Sequence, residues 1–256
     1  MSSPAYSGPP LPTGLRLEML ARLLAVQGSW NYESMLGSGL GFALEPALRR
    51  LPGGREGKAY RDAVARQSGY FNAHPYLASI AAGALARAEL DGEPMERIVR
   101  FRTALSGPLG SLGDRLVWAG LLPISSLVAL TLFGLGAGPV VVVVAFVILY
   151  NLGHFFLRAW GLEAGWRHGL AVSLALGSPI IRRAPAYISR AGALLSGVAI
   201  PVVLDRLTGG NFPSTALMLL VAALGAATLV VLKGRVQGWS AALTVLTVYA
   251  VLAVLI

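Results

Sequence analysis

The sequence predicts an all-α integral membrane protein, with N-terminal re-entrant helical hairpins followed by about four transmembrane helices. Hydrophobic residues make up 55% of the 256 residues, the mean hydropathy is +0.66, and only 13% of residues are charged. A soluble domain usually carries about 25% charged residues to cover its surface. The remaining surface must therefore face an apolar medium, and a lipid bilayer is the natural candidate.

The net charge of +9 is interpreted as a feature of cytoplasmic membrane loops rather than of nucleic-acid binding. The arginines stand in short clusters between apolar runs, without a basic helix interleaved with aromatic residues. The chain has no cysteine, which excludes disulfides and thiolate metal sites. Residues 1–14 lack the basic and apolar regions of a signal peptide, so we expect a flexible N-terminal tail.

The region 115–256 is expected to hold the transmembrane helices. Residues 116–157 contain no Asp, Glu, Lys or Arg. Because one crossing needs about 20 apolar residues, this stretch predicts two spans, and two more are expected at about 214–232 and 238–256. The apolar stretches 168–181 and 191–204 are too short to cross upright, although the second would span if Arg190 snorkels or the bilayer thins.

The region 15–114 is expected to be a re-entrant, broken-helix intramembrane region. Segments 23–44 and 67–86 are long enough to span, but they contain polar residues and have basic residues on both sides. If all these basic flanks face the cytoplasm, each segment must enter and return on one side. Such irregular backbone is tolerated only where protein or a water-filled cavity surrounds it. Residues 103–114 (TALSGPLGSLGD) are predicted to form a poor regular helix because of their Gly and Pro.

Polar side chains in this region are candidate substrate ligands, since polar groups at membrane depth usually line a pathway. The candidates are Asn31, Glu33, Asn72, His74, Arg102 and Asp114. Glu33 is the only charge in 23–44, and its alternative role is to cap a helix or pair with an arginine such as Arg102. His74 precedes Pro75, so a hydrogen-bonded hinge is an equal alternative to a ligand. Arg102 and Asp114 bracket a glycine-rich segment. The alternative to a ligand role is that they form an ion pair across a tight turn.

Other polar residues are interpreted structurally. Asn151 and His154 lie one helical turn apart, which favours interhelical hydrogen bonding. The tryptophans, including Trp118, are interpreted as interfacial anchors. The three histidines show no metal-ligand spacing, and we expect no metal, no cofactor and no catalytic residue. The pattern favours transport of a polar solute over catalysis.

Three segments resemble the IID subunits of mannose/fructose/sorbose-family phosphotransferase system (PTS) permeases. Residues 27–35 (QGSWNYESM) resemble the signature Gln-x-Ser-Phe-Asn-Tyr-Glu-Arg-Met, and residues 70–75 (YFNAHP) resemble Phe-Phe-Asn-Thr-His-Pro. Residues 102–114 (RTALSGPLGSLGD) resemble Lys-x-x-Leu-Met-Gly-Pro-Leu-Ala-Gly-x-Gly-Asp. The likeness covers about residues 15–170, with the motifs in the family's order.

The resemblance implies a subunit that pairs with a IIC membrane subunit, as a trimer of heterodimers, to bind a hexose and move it across the bacterial cytoplasmic membrane. A soluble IIB subunit, charged through IIA, would phosphorylate the sugar, and this chain would carry no phosphoryl group. The family also has re-entrant N-terminal segments. Arg102 replaces the family Lys, Ser106 the family Met and Arg115 a small residue. The alternative is therefore a divergent regulatory or structural membrane subunit without transport activity.

Overall fold

The computed structural model of the chain describes residues 9–172, 176–177 and 179–210, together with single residues at 213, 216, 217, 220 and 223. The described part is helical apart from turns, loops and two isolated β-bridges. The all-α prediction is therefore confirmed for the described residues.

The helices fall into a group of short ones followed by a group of long ones. The short helices are α1 (Thr13–Leu24), α2 (Gly37–Leu48), α3 (Lys58–Ser68) and α4 (Ala78–Leu90). The first long helix runs from Met95 to Gly134 and consists of α5 (Met95–Gly113), a π-helical segment (Asp114–Leu121) and α6 (Leu122–Gly134). The other two are α7 (Pro139–His168) and α8 (Pro179–Leu207). The chain divides into two compact units, one of residues 1–123 and 147–191 and one of residues 124–146 and 192–256.

Helix α4 is the centre of the first unit. Its residues from Ala78 to Ala86 are all buried, and most of them are Ala or Gly. Small side chains let neighbouring backbones approach closely, as at helix interfaces in membranes. A Cβ atom at Gly83 would overlap the backbone carbonyl oxygen of Leu162, and one at Gly165 would overlap that of Ile80. Helices α4 and α7 therefore pack backbone to backbone.

Helix α1 covers this core with one apolar face. Leu15, Met19 and Leu23 are each separated by four residues, so they lie on one side of the helix, and all three are fully buried. The opposite side carries ionised groups that form ion pairs with other elements. Arg22 pairs with Glu45 of α2 at 2.9 Å.

In the second unit, α6 and α8 meet at the end of α6. Gly134 lies against the backbone of Val202 and Val203, where a Cβ atom would be too close. Arg206 donates a hydrogen bond to the carbonyl oxygen of Phe133, and its guanidinium lies 4.3 Å from the centre of the Phe133 ring. The arginine thereby adds a second donor to a carbonyl at the C-terminal end of α6 that also accepts a hydrogen bond from the Gly136 amide at 3.0 Å.

Among the residues that the structure describes, three helices are long and apolar enough to cross a membrane: Met95–Gly134, Pro139–Ala171 and Arg183–Leu207. The first two agree with the two spans predicted within 116–157. The third corrects the expectation that 191–204 is too short, because α8 begins at Pro179 and continues through Arg190 without a break. The spans predicted at 214–232 and 238–256 lie outside the continuously described residues.

The prediction of a poor helix at 103–114 is wrong. Helix α5 runs through Gly107 and Pro108 up to Gly113. A proline removes one intrahelical hydrogen bond, a loss that packing in a membrane protein often compensates. Here Leu105 and Leu109 on either side of the proline are buried. The irregularity comes later instead, in the π-helical segment that begins at Asp114.

Segments 23–44 and 67–86 are not continuous helices. The first consists of the end of α1, a loop at 25–36 and the start of α2, and the second of the end of α3, a loop at 69–77 and the start of α4. Both are broken near the positions of their polar residues, as the sequence predicts. Their re-entrant placement in a membrane remains a prediction.

The backbone contact between α4 and α7 makes Gly165 a stability test. Gly165→Ala places a methyl group against the Ile80 carbonyl, and such overpacking costs about 1–3 kcal/mol. We expect a lower melting temperature in detergent. The matched control is Gly192→Ala in α8, where a Cβ atom meets nothing within 4 Å, and its melting temperature should be unchanged or slightly higher. Equal behaviour of the two variants would contradict the close packing.

Candidate functional site

Two of the motif segments meet through their backbones. The amide of Leu36 donates to the carbonyl oxygen of Phe71 at 2.9 Å, and the amide of Phe71 donates to the carbonyl oxygen of Ser34 at 3.1 Å. Met35 and Phe71 form an isolated parallel β-bridge, and the Phe71 side chain is fully buried. The loop at 25–36 is therefore fixed onto the loop at 69–77, although residues 37–68 separate them in sequence.

Asn31 closes its own loop. Its Oδ1 accepts hydrogen bonds from the amides of Glu33 at 2.9 Å and Ser34 at 2.8 Å, and its Nδ2 donates to the carbonyl oxygen of Ser29 at 3.2 Å. An asparagine bonded to the backbone two residues on is the usual signature of an Asx turn. The described contacts of Asn31 thus give it a bracing role, and binding of substrate by Asn31 remains a prediction.

Glu33 is exposed rather than buried, which corrects the argument that a costly intramembrane carboxylate must face a polar cavity. The reason is that residue 33 belongs to an irregular loop and not to a membrane helix. Its proposed partner Arg102 donates to backbone carbonyls instead. The tip of this loop, residues 27–33, also exposes two aromatic rings, Trp30 and Tyr32, packed edge to face with ring centres 4.9 Å apart.

Arg102 braces the end of α3 from the neighbouring helix α5. It is 8% exposed, and its terminal nitrogens donate to the carbonyl oxygens of Tyr70 at 2.7 Å, Gly69 at 2.6 Å and Gln67 at 3.1 Å. These carbonyls belong to the last residues of a helix and the start of a loop, where no intrahelical donor is available. The planar guanidinium with its several donors suits this arrangement better than a lysine would.

Ser106 fixes the loop one helical turn further along α5. Its hydroxyl donates to the carbonyl oxygen of Asn72 at 2.7 Å and accepts from the Asn72 amide at 2.9 Å. Both backbone polar groups of Asn72 are therefore satisfied by one side chain. The Met of the family pattern at this position could not make these bonds, so the departure at Ser106 has a clear structural use.

A cleft of about 290 Å³ lies between the loop at 69–77 and the helix that carries Asp114. It brings together three of the six candidate ligands, Asn72, His74 and Asp114. Asn31, Glu33 and Arg102 do not line it. The remaining lining residues are Ala73, Pro75, Ser106, Gly107, Gly110, Ser111 and Trp118.

His74 is held tightly in the wall of this cleft. It is 3% exposed, its Nδ1 accepts a hydrogen bond from the amide of Tyr76 at 3.2 Å, and its Nε2 has no hydrogen-bond partner among the described residues. Gly113 lies directly against its Cβ atom. Burial lowers the pKa of His74 to about 4, against the opposing effect of the Asp114 carboxylate. The imidazole is therefore neutral at physiological pH.

Trp118 also contributes to the cleft, which differs from its interpretation as a membrane anchor. Its ring is 5.6 Å from that of His74 in an edge-on arrangement, and half of the residue is exposed. Helical irregularities of the π type often occur at functional sites. Here the π-helical segment carries both Asp114 and Trp118 at the edge of the cleft.

Sequence reasoning missed a half-buried polar cluster next to His74. The Tyr76 ring stacks on that of His154 at 4.3 Å, and its hydroxyl lies 2.8 Å from that of Tyr150. Arg158, 3% exposed, donates to Nε2 of His154 at 2.7 Å and to the carbonyl oxygen of Leu23. Arg158 therefore lies inside the helix packing, where it links α7 to α1.

The signal for this cluster was present in the sequence. His154 and Arg158 are four residues apart, so they lie on one face of α7. Asn151, for which interhelical bonding was expected, instead donates from Nδ2 to the carbonyl oxygen of Val147 in its own helix at 2.8 Å. The tyrosine pair joins α7 to the loop at 69–77.

A second cleft, of about 330 Å³, lies at the ends of α4 and α7. Its arginines Arg87, Arg97 and Arg167 are each paired with an acidic residue four positions away in the chain. Such ion-paired surface clefts present little uncompensated charge to a ligand. The cleft at Asp114 is the better candidate site because three motif residues converge on it.

The bracing role of Arg102 is testable. Arg102→Ala leaves the carbonyls of Gln67, Gly69 and Tyr70 without these donors, and hydrogen bonds from a charged group contribute about 1.5–3 kcal/mol each. We expect a strong loss of folded protein in membranes, with partial recovery for Arg102→Lys. Arg100→Ala, an exposed arginine of the same helix, is the control and should fold normally. Normal folding of Arg102→Ala would contradict the bracing role.

Comparison with known proteins identifies the family. The family model described as PTS system mannose/fructose/sorbose family IID component matches residues 13–205. The mannose-specific EIID component of Escherichia coli K12 is 29% identical over 198 residues, which are 71% of this chain and 68% of the relative. The fructose permease IID component of Bacillus subtilis is 26% identical over 204 residues, covering 74% and 72% of the two chains.

Solved structures agree with this on the level of the fold. A chain of the cryo-EM structure of the mannose transporter ManYZ with microcin E492 has a TM-score of 0.57 and 22% identity over 95% of both chains. A second structure, described only as a membrane protein, has a TM-score of 0.68 and 22% identity, covering 95% of this chain and 96% of the other. The family match spans well over half of the chain, and the chain therefore belongs to the IID components of the mannose/fructose/sorbose PTS family, as a multi-pass membrane subunit of a sugar permease.

Proposed function

We propose that this chain, together with a IIC partner, binds a hexose in the cleft at Asp114 and moves it inward across the bacterial cytoplasmic membrane, where a IIB subunit charged through IIA phosphorylates it. The observation that carries the proposal is the convergence of Asn72, His74 and Asp114 on one cleft. These residues come from two separate family motifs, and the cleft is where their side chains meet.

The chemistry of the cleft suits a neutral polyol. A sugar hydroxyl both donates and accepts hydrogen bonds, and the Asn72 amide offers donors and an acceptor while the Asp114 carboxylate offers acceptors. Trp118 adds an apolar ring surface for the C–H groups of a sugar, and Gly107 and Gly110 leave room for close approach. Transporter sites commonly lie where helices are broken or irregular, as at the loop 69–77 and the π-helical segment.

The surface of the chain supports a membrane partner. The loop tip at 27–33 exposes Trp30, Tyr32 and Glu33, although this loop carries one of the three family motifs. No residue in the most apolar 18-residue window of the span Pro139–Ala171 is buried. A solved chain with a similar fold belongs to the mannose transporter ManYZ. We propose the loop tip as a contact with the IIC subunit, within a trimer of heterodimers.

The transport proposal is tested by sugar uptake. The chain and its IIC, IIB and IIA partners are expressed in bacteria that lack their own mannose-family permease, and uptake of labelled mannose, fructose and sorbose is measured. Asn72→Ala should raise the KM about tenfold, as expected for a lost hydrogen bond of 1–2 kcal/mol, with unchanged membrane abundance.

The matched control is Thr103→Ala. This exposed hydroxyl lies on α5 close to Ser106 and bonds only within its own helix, so uptake should be unaffected. No uptake of any of the three sugars by an assembled wild-type complex would instead favour the regulatory or structural alternative.

The partner contact is tested separately. Glu33→Lys reverses the charge of an exposed loop residue, so the chain should still fold but should co-purify with its IIC partner less efficiently. Glu96→Lys reverses another exposed carboxylate, outside the loop tip, and should co-purify as the wild type does. Equal co-purification of both variants would exclude the loop tip from the interface.

A further inference from the structure

The formal charge of the cleft is unusual for a protein whose proposed cargo becomes a phosphate ester. Asp114 is the only lining residue with a formal charge, since His74 is neutral and every other lining residue is uncharged. A phosphate ester carries negative charge and binds best to cations or to several free N–H donors. The cleft provides a single carboxylate instead.

The nearby arginines do not reach into the cleft. The terminal nitrogens of Arg102 donate to backbone carbonyls of residues 67–70. Arg115 follows Asp114 directly, but its Nε donates to the carbonyl oxygen of Ser111 at 3.2 Å and the residue does not line the cleft. Arg158 is held by His154 and the carbonyl of Leu23. Their charges act on a ligand only at a distance, whereas Asp114 would touch it.

We propose that the Asp114 carboxylate makes this cleft selective for the unphosphorylated sugar over its phosphate ester. The inference rests on the proposed function and adds a specificity determinant to it. A neutral hexose donates hydrogen bonds from its hydroxyl groups to the carboxylate. A phosphate group in the same cleft instead meets a like charge, with no cation among the lining residues to compensate. The same carboxylate that favours binding of the sugar then disfavours rebinding of its phosphate ester.

Competition binding on the complete complex of this chain with its IIC partner tests the inference. Labelled mannose or fructose is displaced by the same unlabelled sugar and, in parallel, by the corresponding sugar phosphate. The sugar phosphate should need a concentration about tenfold higher, or more, to displace half of the labelled sugar. Asp114→Asn keeps the shape and removes the charge, so the ratio between the two competitors should fall toward one.

Two further variants make the result specific. Asp62→Asn removes a carboxylate that lies on α3 and does not line the cleft, and it should leave the ratio unchanged. Ser111→Lys adds a cation to the cleft wall and should improve competition by the phosphate, which keeps the test informative if Asp114→Asn fails to fold.

The outcomes separate the two proposals. Equal competition by sugar and sugar phosphate in the wild type, or an unchanged ratio in both Asp114→Asn and Ser111→Lys, would overturn the selectivity while leaving the sugar site in place. Absence of sugar binding by the wild-type complex would overturn the proposed function and this inference with it.

Discussion

The need to satisfy backbone hydrogen bonds where helix α3 ends shapes the whole candidate site. In a protein surrounded by lipid, unpaired carbonyls and amides in an irregular segment cost several kcal/mol each. Here a single neighbouring helix supplies the partners. Arg102 donates to the carbonyls at the end of α3, and Ser106 pairs with both backbone groups of Asn72. The loop that carries Asn72 and His74 is thereby attached to α5, and this attachment forms the cleft between them.

The contacts behind the loop hold the other side of the cleft. Arg158 is a buried cation in a membrane-spanning helix, a costly placement that is usually accepted only where the charge has partners. It contacts the carbonyl of Leu23 in α1, the imidazole of His154 and the face of the Tyr76 ring. Removing this arginine would break the hydrogen bond from α7 to the Leu23 carbonyl of α1 and leave the Tyr76–Tyr150 hydrogen bond and ring stacking to join α7 to the loop. The irregular π-helical segment with Asp114 forms the opposite side of the cleft.

Much of this arrangement was predictable, for physical reasons that also mark the limits. Composition fixes the membrane class, and family motifs select Asn72, His74 and Asp114, which do converge. The exposure of Glu33 was not predictable, because a count of uncharged residues cannot distinguish a membrane helix from a polar loop joining two helices. The burial of Arg158 was not predictable from its sequence position either, because it depends on which face of α7 meets other helices. The continuity of α5 through Pro108 depends on packing that no local propensity records.

The permease proposal thus depends on one geometric statement, that the cleft between Asn72 and Asp114 is where the sugar sits. The family places this chain in a mannose-type permease, but the family alone does not say which residues touch the cargo. A cryo-EM map of the chain with its IIC partner and a saturating hexose tests the statement most directly. We predict sugar density within hydrogen-bond distance of the Asn72 amide and the Asp114 carboxylate, beside the Trp118 ring. Sugar density elsewhere, with this cleft filled by side chains of the partner, would contradict it.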